Sequence, residues 1–154
     1  MALADLLQQD AIIPALKVNS KKQLLQELAA KAAKLTGVPE REIFDVILQR
    51  ERLGSTGVGH GIAIPHGKLG NITSINGIFA RLENPVDFEA LDDEPVDLVF
   101  LLLAPEGAGA DHLKALSRIA RVLRDQDLVS KLRQTDSASA IYAFLNEEQA
   151  NHAA

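Results

Sequence analysis

The sequence contains no cysteine among its 154 residues. This absence excludes disulfide bonds, zinc–thiolate sites and a cysteine nucleophile within the chain. Clusters of positive charge are also missing, because the longest Lys/Arg run is the pair Lys21 and Lys22 and the net charge is −5. A nucleic-acid-binding surface is therefore not expected, and the partners should be proteins or small anions.

Long hydrophobic runs are absent as well. The longest, LVFLLLAP at 98–105, is far shorter than a membrane span, and the opening MALADLLQQDAIIPAL contains acidic residues rather than the positive segment of a signal peptide. We expect a cytoplasmic protein without membrane insertion. With 47% hydrophobic residues, the chain is sized for a single globular domain over 1–154, with a frayed tail from about residue 147.

Helical periodicity covers both ends of the chain. Ser20 and Gln23 form a capping box before a helix that ends at Gly37, and a second helix is predicted from Pro39 to about Leu53. Apolar residues from Leu113 to Leu123 share one helical face, and a further amphipathic stretch covers 128–145. Strand-length apolar runs at 61–66, 75–82 and 96–103 lie between these helices. The pattern predicts an α/β sandwich whose sheet is covered by helices on both faces.

The glycine-rich segment GSTGVGHGIAIPHGKL at 54–69 contains the first candidate for chemistry. Glycines expose backbone N–H groups and allow another surface to approach closely, which suits an anion or a docking protein. His66 follows Pro65, which is expected to end regular sheet pairing, and precedes Gly67, which is expected to leave one side of the ring open. An accessible neutral imidazole can attack a phosphoryl group, although a polar residue ending a strand is the plain alternative.

Arg50 lies within the apolar stripe of the second predicted helix, near Ile43 and Ile47. An inward arginine needs a partner, which an acidic residue could provide. Alternatively, the guanidinium extends past the helix end into the loop at 54–61 and binds phosphoryl oxygens. The position of Arg50, four residues before that loop, favours the second interpretation.

His112 stands in the first turn of a predicted helix, where backbone donors and the helix dipole favour an anion. The alternative is a surface histidine behind an Asp111 N-cap. His60 and His152 carry weaker signals, and the role of His60 stays open. The spacing of His60, His66 and His112 matches no zinc pattern, so no metal site is expected.

Arg50, the motif GSTGVGHGIAIPHGKL and the DHL at His112 together resemble the enzyme IIA proteins of the bacterial phosphoenolpyruvate phosphotransferase system, fructose/mannitol type. The GSTG loop and the KL after PHG are most similar to the nitrogen-regulatory branch. The resemblance implies a central mixed sheet flanked by helices. It also implies that His66 accepts the phosphoryl group, through Nε2, with His112 as second active-site histidine and Arg50 as motif arginine.

By this resemblance the chain is a phosphohistidine carrier and regulator that takes its phosphoryl group from a histidine phosphocarrier protein. Loop N–H groups at Ser55, Thr56, Gly57 and Gly59 are expected to bind the phosphate, and no metal, nucleotide or other cofactor is required. The family suggests potassium transporters or sensor kinases as regulatory targets. The alternative within the family is a sugar-specific IIA component that passes the phosphoryl group to a separate IIB protein.

Two functions outside this scheme remain open at the level of sequence. One is a binding regulator in which His66 is never phosphorylated, and the other is a histidine-dependent phosphatase, for which no convincing general-acid carboxylate is found. Incubation with phosphoenolpyruvate, the first enzyme of the system and the carrier distinguishes the three functions. They predict stable label, no label and released phosphate, respectively.

Overall fold

The computed structural model describes the backbone of residues 3–153 and the side chains of residues 3–146. This part of the chain forms five α-helices and six strands, with short 3-10 turns at Leu3–Asp5 and Gln9–Ala11. The helices are α1 (Lys21–Thr36), α2 (Glu40–Arg52), α3 (Ala110–Val122), α4 (Gln126–Arg133) and α5 (Ala138–Ala153). The strands are β1 (Ile12–Leu16), β2 (Gly57–Gly59), β3 (Ile62–Ala63), β4 (His66–Leu69), β5 (Asn76–Val86) and β6 (Val96–Pro105).

The six strands form one mixed sheet. At its centre β5 and β6 are antiparallel, and β1 pairs with β5 in parallel at one edge. Strands β3 and β4 both lie parallel to β6, with Ile62 beside Leu98 and His66 beside Leu102, and β2 pairs with β3 in an antiparallel manner. The first residue of β4 is therefore fixed in register against the most buried strand.

Helices cover both faces of this sheet. Every residue of β6 from Leu98 to Ala104 is buried. Because successive side chains of a strand point to opposite faces, such a run is buried only when both faces are covered. The predicted α/β architecture with a mixed sheet flanked by helices is confirmed.

The predicted helix boundaries near the amino terminus are confirmed. The Ser20 hydroxyl accepts a hydrogen bond from the Gln23 backbone N–H at 3.1 Å, so Ser20 is the N-cap of α1. Gly37, at a φ of 80°, is its C-cap. Helix α2 follows Pro39 and ends one residue before Leu53.

The amphipathic stretch predicted at 128–145 is wrong as one continuous element. It is divided between α4 and α5 by residues 134–137. There the Thr135 hydroxyl accepts from the Ser137 N–H at 3.2 Å, and the Ser137 hydroxyl accepts from the Ala140 N–H at 3.3 Å. Such local side-chain bonds compete with the helical ladder, so the helix stops and restarts.

Two strands differ from the expectation because of proline. The apolar pattern did not predict strand β1, which contains Pro14. The proline is tolerated because β1 lies at the sheet edge, where one backbone N–H donor can be missing. Pro65 interrupts the regular pairing as expected, since β3 ends at Ala63, but it does not end it. Its carbonyl accepts from the Leu102 N–H at 3.0 Å, and pairing resumes at His66.

The tail after Leu145 continues helix α5 along the backbone to Ala153. Side chains from residue 147 onward lie outside the described part, so the frayed tail stays a prediction. Among the described residues, no helix is long and apolar enough to cross a membrane.

Candidate functional site

The site is built where α2 packs on the start of β4. A Cβ atom on Gly67 would lie 2.6 Å from Cγ1 of Val46 on α2, which is closer than two carbon atoms tolerate. Glycine at 67 thus allows α2 to approach β4, and Arg50 lies one helical turn beyond Val46. The glycine that was expected to open one side of the imidazole brings the helix with Arg50 against it.

His66 is held in one tautomer by its backbone partner. Its Nδ1 lies 3.0 Å from the carbonyl oxygen of Ile64. Because a carbonyl oxygen only accepts, Nδ1 carries the proton, and in the neutral ring Nε2 has a free lone pair. The Arg50 Nε–H donates to that Nε2 at 3.2 Å. The geometry therefore identifies Nε2 as the unprotonated ring nitrogen, independently of the family resemblance.

Arg50 has two anchors. Besides the bond to His66, its Nη1 donates to the carbonyl oxygen of Gly54 at 2.8 Å. The guanidinium thus extends past the helix end to the start of the loop, as the sequence favoured, and its recorded partners are not acidic. The planar, permanently charged guanidinium also lines the cleft, where its geometry suits the oxygen atoms of an anion.

His112 lies in the first turn of α3, beside His66. The two ring centroids are 5.5 Å apart and the rings are tilted by 57°. The residue is only 7% exposed, and the N-cap of α3 is Gly109. The alternative of a surface histidine with Asp111 as the N-cap is therefore wrong. The His112 Nδ1 is buried without a hydrogen-bond partner. Since a bare N–H is costly to bury, the proton belongs on Nε2, which is then a donor available to the cleft.

An open cleft of about 570 Å³ lies over these side chains. It is lined by three cationic side chains, Arg50, Arg52 and Lys68, and by the two histidines. None of the described lining residues is acidic, although the whole chain carries a net charge of −5. A cleft with this lining favours a dianionic group over a cation.

Both imidazoles are biased toward the neutral form. Burial lowers the pKa of His66 and is the largest effect. The hydrogen bond to the Ile64 carbonyl raises this pKa, the Arg50 charge lowers it, and the Glu51 carboxylate raises it. The net result is a lowered pKa. Burial also lowers the pKa of His112, and the charges of His66 and Lys68 lower it further. The neutral imidazole, with one unprotonated nitrogen, is the form of a histidine that can act as a nucleophile.

These shifts make a prediction for pH. We expect His66 to titrate below the ordinary imidazole pKa of about 6.5 and to stay neutral at pH 7. Because the unfolded chain binds the proton more readily, the free energy of unfolding should decrease as the pH falls below about 6.5. NMR titration of the imidazole nitrogens, with the urea-unfolded chain as reference, measures both midpoints. A folded-state midpoint at or above the unfolded one would contradict the burial argument.

The four loop residues predicted to bind phosphate do not line the cleft. Ser55 donates its hydroxyl to the Phe88 carbonyl and accepts from the Gly57 N–H, while the Thr56 N–H donates to Glu51 at 3.1 Å. Gly57 and Gly59 belong to β2. None of the four is among the described residues that line the cleft. In this conformation the N–H groups of Thr56 and Gly57 hold the loop together, and a phosphate-binding role for the four stays a prediction.

His60 is separated from the other histidines. It lines a different cleft together with Asp92, Asp97 and Arg133. Its φ is +58°, and its backbone N–H donates to the Asp92 carboxylate at 3.0 Å. The structure thus brings Arg50, His66 and His112 together and leaves His60 outside.

The sequence interpretation missed Glu51. Its carboxylate is buried and accepts from both the backbone N–H and the hydroxyl of Thr56. A signal was present, because Glu51 continues the i, i+4 row of Ile43 and Ile47 on the buried face of α2. A carboxylate on an apolar row needs partners, and the structure provides Thr56 and Lys21.

The model of the EIIA 2 family of the phosphoenolpyruvate-dependent sugar phosphotransferase system matches residues 5–148. The chain therefore belongs to this family. A nitrogen regulatory protein of Bradyrhizobium diazoefficiens is 68% identical over 145 residues, which are 94% of this chain and 95% of that protein. A nitrogen regulatory protein of Klebsiella oxytoca is 39% identical over 155 residues, covering 100% of this chain and 96% of its own.

A solved structure agrees with these relatives. The crystal structure of nitrogen regulatory protein IIA-Ntr from Neisseria meningitidis has a TM-score of 0.88 and 35% identity, and the match covers 93% of this chain and 98% of that one. The family resemblance drawn from VGHGIAIPHG is confirmed, and so is its nitrogen-regulatory branch. Membership of the family implies a phosphocarrier partner and regulatory targets.

Proposed function

We propose that this chain accepts a phosphoryl group on Nε2 of His66 from a histidine-phosphorylated carrier protein, and that it regulates partner proteins according to its phosphorylation state. The observation that carries the proposal is the Nδ1–H of His66 bonded to the Ile64 carbonyl, which leaves Nε2 unprotonated, with its lone pair held by the Arg50 Nε–H. We place the reaction in the cytoplasm, where histidine phosphocarriers operate.

The transfer is an in-line displacement on phosphorus. The Nε2 lone pair forms the new N–P bond while the P–N bond to the carrier histidine breaks and its electron pair returns to that imidazole. The Nδ1 of His66 keeps its proton throughout, so no general base is needed. Catalysis then depends on positioning and charge stabilisation, which is the usual requirement of phosphoryl transfer.

Three side chains assist the displacement. Arg50 releases the Nε2 lone pair and donates to phosphoryl oxygens instead, because the negatively charged phosphoryl group is the stronger acceptor. The Nε2–H of His112 donates from the other side of the cleft, and Lys68 adds positive charge at its wall. Loop residues Ser55, Thr56, Gly57 and Gly59 contribute only if the loop rearranges, since two of their N–H groups are already bonded.

The surface around the cleft suits a docking protein. Leu53, which lines the cleft, is 85% exposed, and Leu113, next to His112, is 67% exposed. Large exposed apolar side chains beside a reactive group are typical of protein contact sites. A carrier that covers both leucines would bring its phosphohistidine over Nε2 and exclude water from the transfer.

Phosphorylation should act as a binding switch for regulatory targets such as potassium transporters or sensor kinases. The phosphoryl group adds about −1.5 to −2 charges at a surface that such a partner would cover. Burying that charge without matched groups costs several kcal/mol, and each 1.4 kcal/mol is about tenfold in affinity. We expect affinities for the two states to differ by about a hundredfold or more.

Titration calorimetry with one such target tests this regulatory function. The protein is compared unphosphorylated, phosphorylated and as His66→Ala, which should bind like the unphosphorylated form under phosphorylating conditions. A hundredfold difference between the first two supports regulation. Equal affinities for every target tested would contradict it and favour onward transfer to a separate IIB protein.

A further inference from the structure

A buried charged network lies behind the site. The Glu51 side chain is 2% exposed, and its Oε1 lies 3.0 Å from the Lys21 Nζ. The same Oε1 accepts from the Thr56 N–H at 3.1 Å, while Oε2 accepts from the Thr56 hydroxyl. Lys21 in turn lies 4.5 Å above the centre of the Phe88 ring. Both carboxylate oxygens are therefore occupied, although neither reaches the cleft.

This network borders the turn that anchors Arg50. The Leu53 N–H donates to the Arg50 carbonyl, and the Gly54 N–H donates to the Glu51 carbonyl, so α2 ends in a tight 3-10-type turn. Glu51 holds Thr56, on the far side of this turn, by two bonds. Gly54 lies between these two fixed ends, and its carbonyl accepts from Arg50 Nη1. The position of that carbonyl thus depends on the bond between Glu51 and Thr56.

Stability alone does not explain a carboxylate at this position. The desolvation free energy of a buried ion pair is about as large as the attraction between its two charges. Proteins with apolar residues of similar volume at such positions are often equally stable. An apolar side chain at 51 would fill the space but would not hold the two donors of Thr56. What the carboxylate adds is a defined position for the turn.

We infer that Glu51 is a positioning residue for phosphoryl transfer, which holds Thr56 and thereby keeps the Gly54 carbonyl, and with it the Arg50 guanidinium, against Nε2 of His66. The inference rests on the proposed function. Glu51 touches neither the carrier nor the phosphoryl group, so its effect is transmitted through the turn. An arginine displaced by about 1 Å from the reacting atoms is enough to slow a reaction about a hundredfold.

The first arm of the test is kinetic. Transfer from a phosphorylated carrier is measured for the wild type, Glu51→Gln, Thr56→Val and Thr56→Ser. We expect Glu51→Gln to lower the maximal rate by about tenfold to a hundredfold with the carrier KM unchanged, because Glu51 is buried. Thr56→Val, which loses the hydroxyl but disturbs no charge, should also slow transfer, and Thr56→Ser should restore most of the rate.

The second arm uses NMR and needs no phosphorylation. In the wild type the Arg50 Nε–H is bonded to His66 and should exchange slowly with solvent. In Glu51→Gln and Thr56→Val it should exchange faster, while the Nδ1–H of His66 stays protected by Ile64. Unchanged Arg50 protection in both variants would overturn the positioning role.

Asp97→Asn is the matched control. It removes the negative charge from the ion pair between Asp97 and Arg133, which is partly buried and lines the cleft of His60 rather than that of His66. If Asp97→Asn and Glu51→Gln lower the free energy of unfolding by the same amount, Asp97→Asn should still leave the transfer rate unchanged. A wild-type maximal rate in Glu51→Gln, a change confined to KM, or the same slowing in Asp97→Asn would refute the inference. If the wild type itself takes no label, the proposed function fails, and the NMR arm alone decides the role of Glu51.

Discussion

A His66→Ala variant is expected to accept no phosphoryl group from a phosphorylated carrier, while its fold and unfolding transition stay close to those of the wild type. The whole reaction depends on the Nε2 lone pair, and no neighbouring group in the described cleft can replace it. His112 is the other imidazole there, but its Nδ1 is buried and its Nε2 is assigned as a donor. Arg50 would keep its bond to Gly54, so the cleft should remain formed.

The protein is incubated with labelled phosphoenolpyruvate, the first enzyme and the carrier, and is then analysed on a gel under conditions that preserve phosphohistidine. The label on the protein measures phosphoryl transfer. Circular dichroism and denaturant unfolding of the variant provide the control for folding. Label on His66→Ala at the wild-type level would place the acceptor on another residue and remove the basis of the mechanism.

A His112→Ala variant is expected to slow transfer by about 10²–10³, equivalent to about 2.7–4 kcal/mol, by analogy with the loss of one oxyanion donor. The physical reason is the loss of an N–H donor from a ring that lines the cleft beside His66, with the ring centroids 5.5 Å apart. His112→Gln, which keeps an N–H donor, should recover part of the rate. The measurement is single-turnover transfer at saturating carrier.

His60→Asn is the matched control for this variant. It also removes an imidazole, but from the other cleft, and asparagine tolerates the positive φ of +58° at that position. Its transfer rate should equal that of the wild type. Equal rates in His112→Ala and the wild type would return His112 to a structural role.

Local signals predicted much of the fold. The Ser20 cap, the Gly37 end of α1 and the apolar strands β5 and β6 depend on neighbours in sequence, and they were located closely. Strand β1 and the resumption of pairing at His66 depend on partners far along the chain, Phe79 and Leu102. Because proline suppresses the local strand pattern, only the pairing itself reveals them.

The site was predicted as a set of residues but not as a geometry. The glycine-rich motif and the inward phase of Arg50 identified the participants. The residues alone did not predict the tautomer of His66, because it depends on the direction of the Ile64 carbonyl, two residues away. The hydrogen bonds donated by the Thr56 and Gly57 N–H groups could not be predicted either. The acceptors, Glu51 and the Ser55 hydroxyl, are identified only by the folded structure.

The most direct test of the central claim is to locate the phosphoryl group on the ring of His66. Nitrogen-15 and phosphorus-31 NMR of the labelled, phosphorylated protein distinguishes Nε2 from Nδ1. We predict an N–P bond at Nε2 of His66, with the Nδ1 proton retained and still bonded to the Ile64 carbonyl. Phosphorus on Nδ1, on another residue, or absent after incubation with a competent phosphorylated carrier would contradict the account.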